Sequence, residues 1–387
     1  MTTAVVHTTH LVVGGAALAR ENSGRVVFVS GGLANETVRV SFRSAKKDFA
    51  AADVVEVLTA SADRVVPACE AWHRGCGGCD WQHIAAGAQL GAKVEIVREA
   101  LARTGRLTDP QVTAGGTVPA WGYRTTVRLA VHHGTVGFRS RRSHHVVAIT
   151  NCPVASEAVN EEIAVLTGVD ADEVTVRASV ATGERNCSTT VSSGAILTEV
   201  VAGQALRVST GSFFQSSPAA AELLVAAVAR AVADVDMTTA RVIDAYGGVG
   251  LFACTLAADA ADVVLVEASP SACADARVNL AGREATVVEG RVEDWEPVPA
   301  DLVIADPARS GLDKVAAGVL AATDAPVLVL VSCDTGSLAR DTRLLGELGY
   351  VHRATEVIDA FPNTSHIETV SRFVRQTSVD AAAPVRS

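Results

Sequence analysis

The chain has 387 residues and a formal net charge of −10. This length exceeds that of a usual single domain, so we expect two or three domains with sizeable cores. The acidic balance excludes a generic polyanion binder, and any contact with nucleic acid must depend on a local basic patch. No apolar run reaches about 18 residues, and no basic segment followed by an apolar one opens the chain, which predicts a cytoplasmic protein that is neither secreted nor bound to a membrane.

Residues 1–63 alternate short β-type runs with turn or polar breaks. The clearest runs are residues 26–30, 37–42 and 53–58, and the breaks include the pairs Gly31-Gly32 and Lys46-Lys47. This spacing predicts a small five-stranded barrel, similar to an OB-fold. Such barrels often hold single-stranded nucleic acid, but any small β domain would show the same pattern.

Residues 64–205 begin with a cluster of cysteines. Cys69, Cys76 and Cys79 lie close together, and Cys152, which is followed by Pro, supplies a remote fourth thiol. Three clustered thiols and a distant Cys-Pro are typical of an iron–sulfur cluster with four thiolate ligands. A structural zinc site would use the same residues, although zinc sites favour two closely spaced cysteine pairs. Disulfides are disfavoured in a cytosolic chain.

The same region carries a basic stretch after a helix predicted over residues 84–104. Its arginines alternate with aromatic residues and are Arg124, Arg128, Arg139, Arg141 and Arg142. Arginines contact phosphates, and exposed aromatic rings can stack on unpaired bases, so the stretch predicts an RNA-binding surface. The alternative is an ordinary solvated face of a sheet.

Residues 206–387 are rich in Ala, Val and Leu, and their periodicity predicts alternating strands and helices. Ser217 and Pro218 are suited to begin a helix that runs to about Ala233. A strand, a glycine turn and a helix start are predicted over residues 240–253, and Glu267 ends the next strand, where it can bind ribose hydroxyls.

The glycine turn allows two interpretations. Gly248-Val-Gly250-Leu-Phe-Ala253 formally satisfies the dinucleotide-binding pattern of dehydrogenases. Asp244 stands before the glycines, however, and a pyrophosphate needs no carboxylate there. Asp244 therefore favours the second interpretation, a site for the amino-acid portion of S-adenosylmethionine.

The apolar run of residues 327–332 predicts a buried parallel strand that ends at Cys333. Asp306 follows the preceding apolar run, and His366 and Glu368 lie in the hairpin-like segment that comes after. A thiol, two acids and an imidazole are therefore expected at one edge of the sheet, where a thiolate can act as a nucleophile. The alternative is that Cys333 is only a small buried apolar residue.

Together these motifs resemble the bacterial RNA (uracil-5-)-methyltransferases, in particular the 23S ribosomal RNA subgroup with an N-terminal TRAM domain and a [4Fe-4S] cluster. The resemblance runs from the barrel to about Arg375. The matching pieces are Cys69, Cys76, Cys79 and Cys152, residues 211–215, residues 244–250, Glu267, residues 306–309, residues 332–334 and residues 361–368. The chain departs from the family pattern at Leu251, Arg291, Ala308 and Thr335, where the family usually has Asn, Asn, Pro and Pro.

The resemblance implies a fold and a set of site residues. The expected architecture is a TRAM/OB-like barrel at 1–63, an α+β iron–sulfur central domain at 64–205 and a class I S-adenosylmethionine-dependent methyltransferase domain of α/β type at 206–387. The four matching cysteines are the implied cluster ligands. The residues implied to line the S-adenosylmethionine pocket are Gln215, Tyr246, Gly248, Glu267 and Asp306.

The resemblance also implies the reaction, which is C5 methylation of a uridine in RNA, most directly 23S ribosomal RNA, by a monomer. Carbon 5 of uracil is a weak nucleophile, so a thiolate must first add to carbon 6, and a base must later remove the carbon 5 proton. Cys333 is the implied nucleophile and Glu368 the implied base. The alternatives are the same chemistry on transfer RNA and an inactive relative that only binds RNA.

Overall fold

The first five strands close into a small barrel in the computed structural model, which describes residues 2–189 and 194–376. They are β1 (Thr3–Leu11), β2 (Ala17–Arg20), β3 (Val26–Ser30), β4 (Thr37–Ala45) and β5 (Phe49–Thr59). The strand order is β1-β2-β3-β5-β4, and pairing of β1 with β4 closes the ring. Val27, Val29, Val38 and Val40 alternate with less buried neighbours and fill the interior. The predicted five-stranded barrel is confirmed.

A second, antiparallel sheet follows the barrel. The elements of this region are α1 (Glu70–His73), α2 (Ala86–Arg103), β6 (Val112–Thr117), β7 (Thr126–His132), β8 (Thr135–Arg139), β9 (Val146–Ala148), α3 (Glu157–Val165), β10 (Glu173–Ala178) and β11 (Arg185–Ser188). Five strands pair in the order β11-β10-β7-β8-β9, and α3 packs on β10 through Val159 and Ile163. The helix predicted over residues 84–104 is confirmed as α2.

The remaining elements form a hairpin and a large α/β layer. They are β12 (Ile196–Val201), β13 (Gln204–Ser209), α4 (Pro218–Ala231), β14 (Arg241–Ala245), α5 (Leu251–Thr255), β15 (Asp262–Glu267), α6 (Pro270–Asn279), β16 (Ala285–Glu289), a 3₁₀ turn (Val292–Asp294), β17 (Leu302–Ala305), α7 (Lys314–Ala321), β18 (Val327–Ser332), α8 (Thr335–Glu347), β19 (Tyr350–Asp359) and β20 (Glu368–Arg375). Helix α4 begins as predicted, because Pro218 occupies its first turn and the Ser217 hydroxyl accepts a hydrogen bond from the Ala220 N–H.

The large sheet has eight strands in the order β16-β15-β14-β17-β18-β20-β19-β6. Strands β16, β15, β14, β17 and β18 run parallel, and β20 runs antiparallel to both β18 and β19. All six residues of β18 are buried. Leu328 and Leu330 face a core with α7 and α8, whereas Val329 and Val331 face a core with α4 and α5, so the strand is covered on both sides.

Residues 86–117, which fall inside the predicted central domain, belong to the large sheet. Strand β6 pairs in parallel with β19, and α2 packs against β6, β19 and α8. The predicted domain boundaries after residues 63 and 205 remain predictions. Among the described residues, no helix combines the length and the apolar character needed to span a membrane.

Candidate active site

The sheet brings the predicted site residues to one edge. Parallel strands present their carboxyl ends at the same side of a sheet, which is where open α/β folds bind ligands. The side chains that follow or end these strands are Tyr246 after β14, Glu267 on β15, Asp306 after β17 and Cys333 after β18. Because β20 is antiparallel to β18 and Thr369 pairs with Ser332, Glu368 begins its strand beside Cys333.

The glycine turn after β14 is held by Glu267. One oxygen of this carboxylate accepts a hydrogen bond from the Gly248 N–H at 3.0 Å, and the other accepts from the Ser269 N–H at 2.7 Å. Tyr246 and Gly248 both have left-handed backbone conformations, with φ of 59° and 56°. A side chain on Gly248 would meet only open space. The turn therefore exposes backbone to a ligand, and the half-buried Glu267 retains free lone pairs beside it.

Asp244 lies beneath this turn. It is fully buried, and one carboxyl oxygen accepts a hydrogen bond from the Ala253 N–H of α5 at 2.9 Å. The other oxygen, Oδ1, has no partner in the structure. Burial raises the pKa of Asp244 to about 7, and the charges of Asp306 and Glu267 add to the effect. Asp244 therefore ties α5 to the end of β14 and leaves one acceptor unsatisfied.

Asp306 and Gln215 meet at the end of β17. The side-chain amide Nε2 of Gln215 lies 3.4 Å from the Asp306 Oδ2, within reach of a weak hydrogen bond. Burial raises the pKa of Asp306 to about 7. Four of the five predicted cofactor residues thus form two hydrogen-bonded pairs, Gly248 with Glu267 and Gln215 with Asp306, and Tyr246 lies in the same turn as Gly248.

Burial and neighbouring charges raise the pKa values of both Cys333 and Glu368. Burial raises the pKa of the half-buried Cys333 thiol to about 12, with further contributions from Glu368 and Asp306, and Arg309 opposes the shift. Burial also raises the pKa of Glu368 to about 8, the charge of Asp306 adds to it, and Arg309 and Lys93 oppose it. A carboxyl with a pKa close to neutral is suited to accept a proton during a reaction.

The four predicted metal ligands, Cys69, Cys76, Cys79 and Cys152, are free thiols and line one cavity. Burial raises the pKa of Cys76, Cys79 and Cys152, in the case of Cys79 to about 12. Over residues 2–189 and 194–376, no three His, Cys, Asp or Glu side chains are placed to hold a metal ion. The ligand types and the shared cavity fit a thiolate-bound centre.

Three of the five predicted arginines form ion pairs with acidic side chains. Arg128 and Arg139 extend from the central sheet to the same carboxylate, that of Glu173, at 3.7 and 3.2 Å. Arg142 reaches across to Asp53 of the barrel at 2.9 Å. These three arginines are exposed, and each has an acidic partner, which reduces their net positive field.

The other two arginines lie over aromatic rings. Arg141 stacks on Trp72 at 4.2 Å, and Arg124 lies 5.4 Å from the ring of Phe361. Arg141 and Arg142 line a cavity of about 660 Å³. It lies between the barrel, the segment around Cys76 and Cys79 (the cysteine segment) and the loop that leads to Glu368. Other polar side chains at this cavity are Arg64, Asp80, His83 and His366. The cavity joins the barrel to the edge that carries the site.

Sequence reasoning missed a buried polar group that borders the site. The Lys93 ammonium is fully buried on α2 and donates to Asp359 Oδ1 at 2.6 Å, at the end of β19. The signal was available in the helix, because Gln89 and Lys93 are spaced with Val97 along its apolar face. Polar residues in such a stripe need buried partners.

No protein-family model matches the chain. An RNA methyltransferase of Streptomyces avermitilis is 34% identical over 92% of this chain and 95% of its own length. The 23S rRNA (uracil(1939)-C(5))-methyltransferase of Halomonas elongata is 31% identical over 92% of this chain and 86% of its own length. Among solved structures, the Pyrococcus abyssi tRNA (uracil-54, C5)-methyltransferase in complex with S-adenosyl-L-homocysteine is 20% identical, with a TM-score of 0.73, and covers 96% of this chain and 100% of its own.

The identities of 34% and 31% extend over nearly all of both sequences, and the overall fold is shared with a solved methyltransferase. The chain therefore belongs to the family of bacterial RNA methyltransferases that contains the 23S rRNA uracil-C5 enzymes. The family resemblance inferred from the sequence is confirmed, and the protein is an RNA methyltransferase.

Proposed function

We propose that the protein uses S-adenosylmethionine to methylate carbon 5 of a uridine in RNA, with 23S ribosomal RNA as the substrate. The observation that carries the proposal is the position of Cys333 and Glu368 at the joined ends of β18 and β20, beside the glycine turn. The names of the Halomonas and Pyrococcus enzymes both give uracil as the target and carbon 5 as the methylated atom, which supports the proposal. We also propose that the enzyme works as a cytoplasmic monomer.

Cys333 begins the chemistry by releasing its proton to solvent and adding as a thiolate to carbon 6 of the uracil. The new C–S bond turns carbon 5 into an enolate-like carbon that can accept a methyl group. With the pKa of the free thiol near 12, the thiolate is scarce before substrate arrives. The positive charge of Arg309 opposes the effect of burial and favours the thiolate.

Glu368 completes the cycle. After methylation, carbon 5 carries both a methyl group and a hydrogen, and the ring cannot regain its double bond until that proton leaves. The ionised form of Glu368 accepts the proton, the electron pair of that C–H bond restores the ring double bond, the C–S bond breaks and Cys333 is released. A carboxyl with a pKa of about 8 holds such a proton more readily than an ordinary glutamate.

The cofactor residues fit S-adenosylmethionine on two observations. The space beside Gly248 admits a ligand against the backbone, and Asp244 keeps an unsatisfied buried oxygen below it. Glu267 is placed to receive ribose hydroxyls, and Gln215 and Asp306 face the reacting end. S-adenosylmethionine supplies the methyl group when it is bound. Leu251, where the family usually has Asn, is buried at the start of α5.

The four cysteines are proposed to hold a [4Fe-4S] cluster. All four cysteines line one cavity, and they would bind iron as thiolates. The cavity of about 660 Å³ next to this segment is proposed to accept the RNA, because Arg141 and Arg142 line it and it ends beside His366.

The proposal is tested with two variants that stop the cycle at different points. Cys333→Ala should form no covalent adduct with uracil-containing RNA and transfer no methyl group, while it still binds S-adenosylhomocysteine. Glu368→Gln should add, transfer the methyl group and then stall, because the C–S bond cannot break without removal of the proton. A denaturing gel should show a methylated RNA–protein band for Glu368→Gln only.

Formation of 5-methyluracil by Cys333→Ala would contradict the assigned nucleophile. Normal turnover by Glu368→Gln would contradict the assigned base and direct attention to Asp306. Labelled methyl transfer to purified 23S ribosomal RNA and to transfer RNA, followed by nucleoside analysis, identifies the substrate.

A further inference from the structure

The loop between β19 and β20 positions Glu368, and helix α2 holds this loop at its start. The Lys93 ammonium donates to Asp359 Oδ1 at 2.6 Å and to the Phe361 carbonyl at 3.2 Å. The same Asp359 oxygen accepts from the Phe361 N–H at 3.2 Å. Three groups thus converge at the first turn after β19. The side chains of Lys93 and Asp359 are 0% and 2% exposed.

One helical turn earlier, α2 holds the middle of the same loop. The side-chain oxygen of Gln89 accepts from the Asn363 N–H at 2.6 Å, and the Gln89 amide donates to the Ile84 carbonyl at 2.9 Å. Asn363 has a φ of 67° and donates through its own amide to the Ala120 carbonyl. Gln89 and Lys93 lie four residues apart on one face of α2, so a single helix surface fixes the path to Glu368.

Burial of a charged lysine costs free energy, although Lys93 holds the loop in place. Two charges lose most of their hydration when they are buried, and a well-packed apolar pair of similar size is often as stable or more stable. Stability alone therefore does not explain why Lys93 is charged. Its charge has a second effect, because it lowers the pKa of Glu368 against the opposing influence of burial.

Charged groups on several elements change the pKa of Glu368. Asp306 at the end of β17 raises its pKa, and Arg309 in the following loop lowers it, as Lys93 does from α2. Cys333 at the end of β18 is a further titratable group, and Glu368 contributes to the rise of its pKa. Lys93 differs from Arg309 in being fully buried, where it cannot be screened by solvent.

We propose that Lys93 is a positioning residue for this reaction: it fixes the start of the loop that leads to Glu368 and supplies a buried positive charge that acts on that carboxyl. The inference rests on the proposed role of Glu368 as the base. It assigns Lys93 to the proton-removal step and not to the addition of Cys333 or to the binding of RNA.

The test compares Lys93→Met with Asp359→Asn in the full-length enzyme. Both variants break the same contact at the same loop, but they remove opposite charges. The rate of breakdown of the covalent RNA adduct is measured in single turnovers as a function of pH. In Lys93→Met the apparent pKa of this step should rise by about one unit, which slows breakdown about tenfold at pH 7. In Asp359→Asn the apparent pKa should stay the same or fall.

A double variant covers the case in which Lys93→Met leaves an unpaired buried carboxylate and does not fold. Lys93→Met with Asp359→Asn removes both charges, so neither side chain is left as an isolated ion. Compared with Asp359→Asn alone, it differs only in the lysine, and its apparent pKa should be higher by about one unit. The rate of adduct formation and the affinity for RNA should match those of Asp359→Asn.

Two results would overturn the role of Lys93. One is a shift of the same sign and size in both single variants, which a damaged loop would produce. The other is an equal apparent pKa in Asp359→Asn and in the double variant. The proposed function is checked separately with RNA that contains 5-fluorouridine, whose adduct cannot lose fluorine as a proton. Absence of this adduct in the wild type would contradict the proposed function itself.

Discussion

Glu368, the proposed base, is an example of a buried carboxyl that can lower the stability of a protein. Its side chain is buried, and its pKa of about 8 lies far above that of a glutamate in an unfolded chain. Between these two pKa values the folded state holds a proton that the unfolded state has released. The free energy of unfolding therefore falls as the pH rises through this window, and it levels off above about pH 8.

Glu368→Gln should stabilise the protein, because a neutral amide of the same shape removes this penalty. The gain should be small near pH 5, grow towards pH 8 and reach on the order of a few kcal/mol above it. Denaturant unfolding at several pH values measures it. Glu347→Gln, at an exposed residue of α8, provides the control and should show no such growth. A gain that does not depend on pH would mean that the carboxyl is not neutral in the folded protein.

The identities of Cys333 and Glu368 could be predicted from the sequence, because each lies in a short motif next to a strongly apolar strand. Their pKa values could not, since these depend on Asp306, Arg309 and Lys93, which other elements bring to the same edge. The local pattern indicates which group can react. The protonation state of that group before the reaction depends on the packing around it.

At the scale of elements, the glycine turn and helix α2 differ in how far the sequence indicates their role. The turn is local: strand, glycines, helix and the acid at Glu267 follow each other within a short stretch. The place of α2 depends on contacts over a long sequence distance, through the pairing of β6 with β19 and the ion pair of Lys93 with Asp359. Periodicity predicts the helix but not the sheet it covers.

Glu267→Ala should weaken the binding of S-adenosylhomocysteine by roughly 1–3 kcal/mol, because the Gly248 and Ser269 N–H groups lose their acceptor and the ribose loses its carboxylate. Isothermal titration calorimetry measures the change. Glu289→Ala is a matched control: this residue ends the neighbouring strand β16 and contacts Arg277 on the surface. Equal losses in both variants would contradict a specific role for Glu267.

The arginines at the large cavity can be separated from those on the central sheet. Replacement of Arg141 and Arg142 by Ala should weaken RNA binding and reduce the slope of log affinity against log salt by about one to two. Replacement of Arg128 and Arg139, which share Glu173, should have a much smaller effect. Filter binding at several salt concentrations tests this. Equal slopes in both double variants would mean that RNA does not enter the cavity.

At the scale of the whole molecule, the cysteine segment contacts the loop that leads to Glu368. The Ser365 N–H donates to Asp80 at 2.8 Å, and the Trp81 N–H donates to the Asn363 carbonyl at 2.9 Å. Asp80 and Trp81 directly follow Cys79 in the chain. The barrel and the cysteines were predictable as separate units, whereas these connections were not, because hydrogen bonds to a distant backbone leave no pattern in the sequence.

Protein purified without oxygen should be brown and contain about four iron atoms per chain, as expected for a [4Fe-4S] cluster. Cys76→Ser should lose the iron and the colour, and it should accelerate proteolysis of the segment around residue 80. Cys187→Ser, at an exposed cysteine outside the shared cavity, is the control and should retain both. Stoichiometric zinc in the wild type would replace the cluster with a structural zinc site.

The pairing of β6 with β19 also determines which fragments of this enzyme can fold independently. A fragment that starts at residue 206 would keep Cys333, Glu368 and the glycine turn, but it would lose β6 and α2. Strand β19 would then become an open edge of ten residues with unpaired backbone groups, which favours edge-to-edge association. The part of the chain that carries Cys333 and Glu368 is therefore not separable at residue 206, and its transfer to a different protein requires residues 86–117 as well.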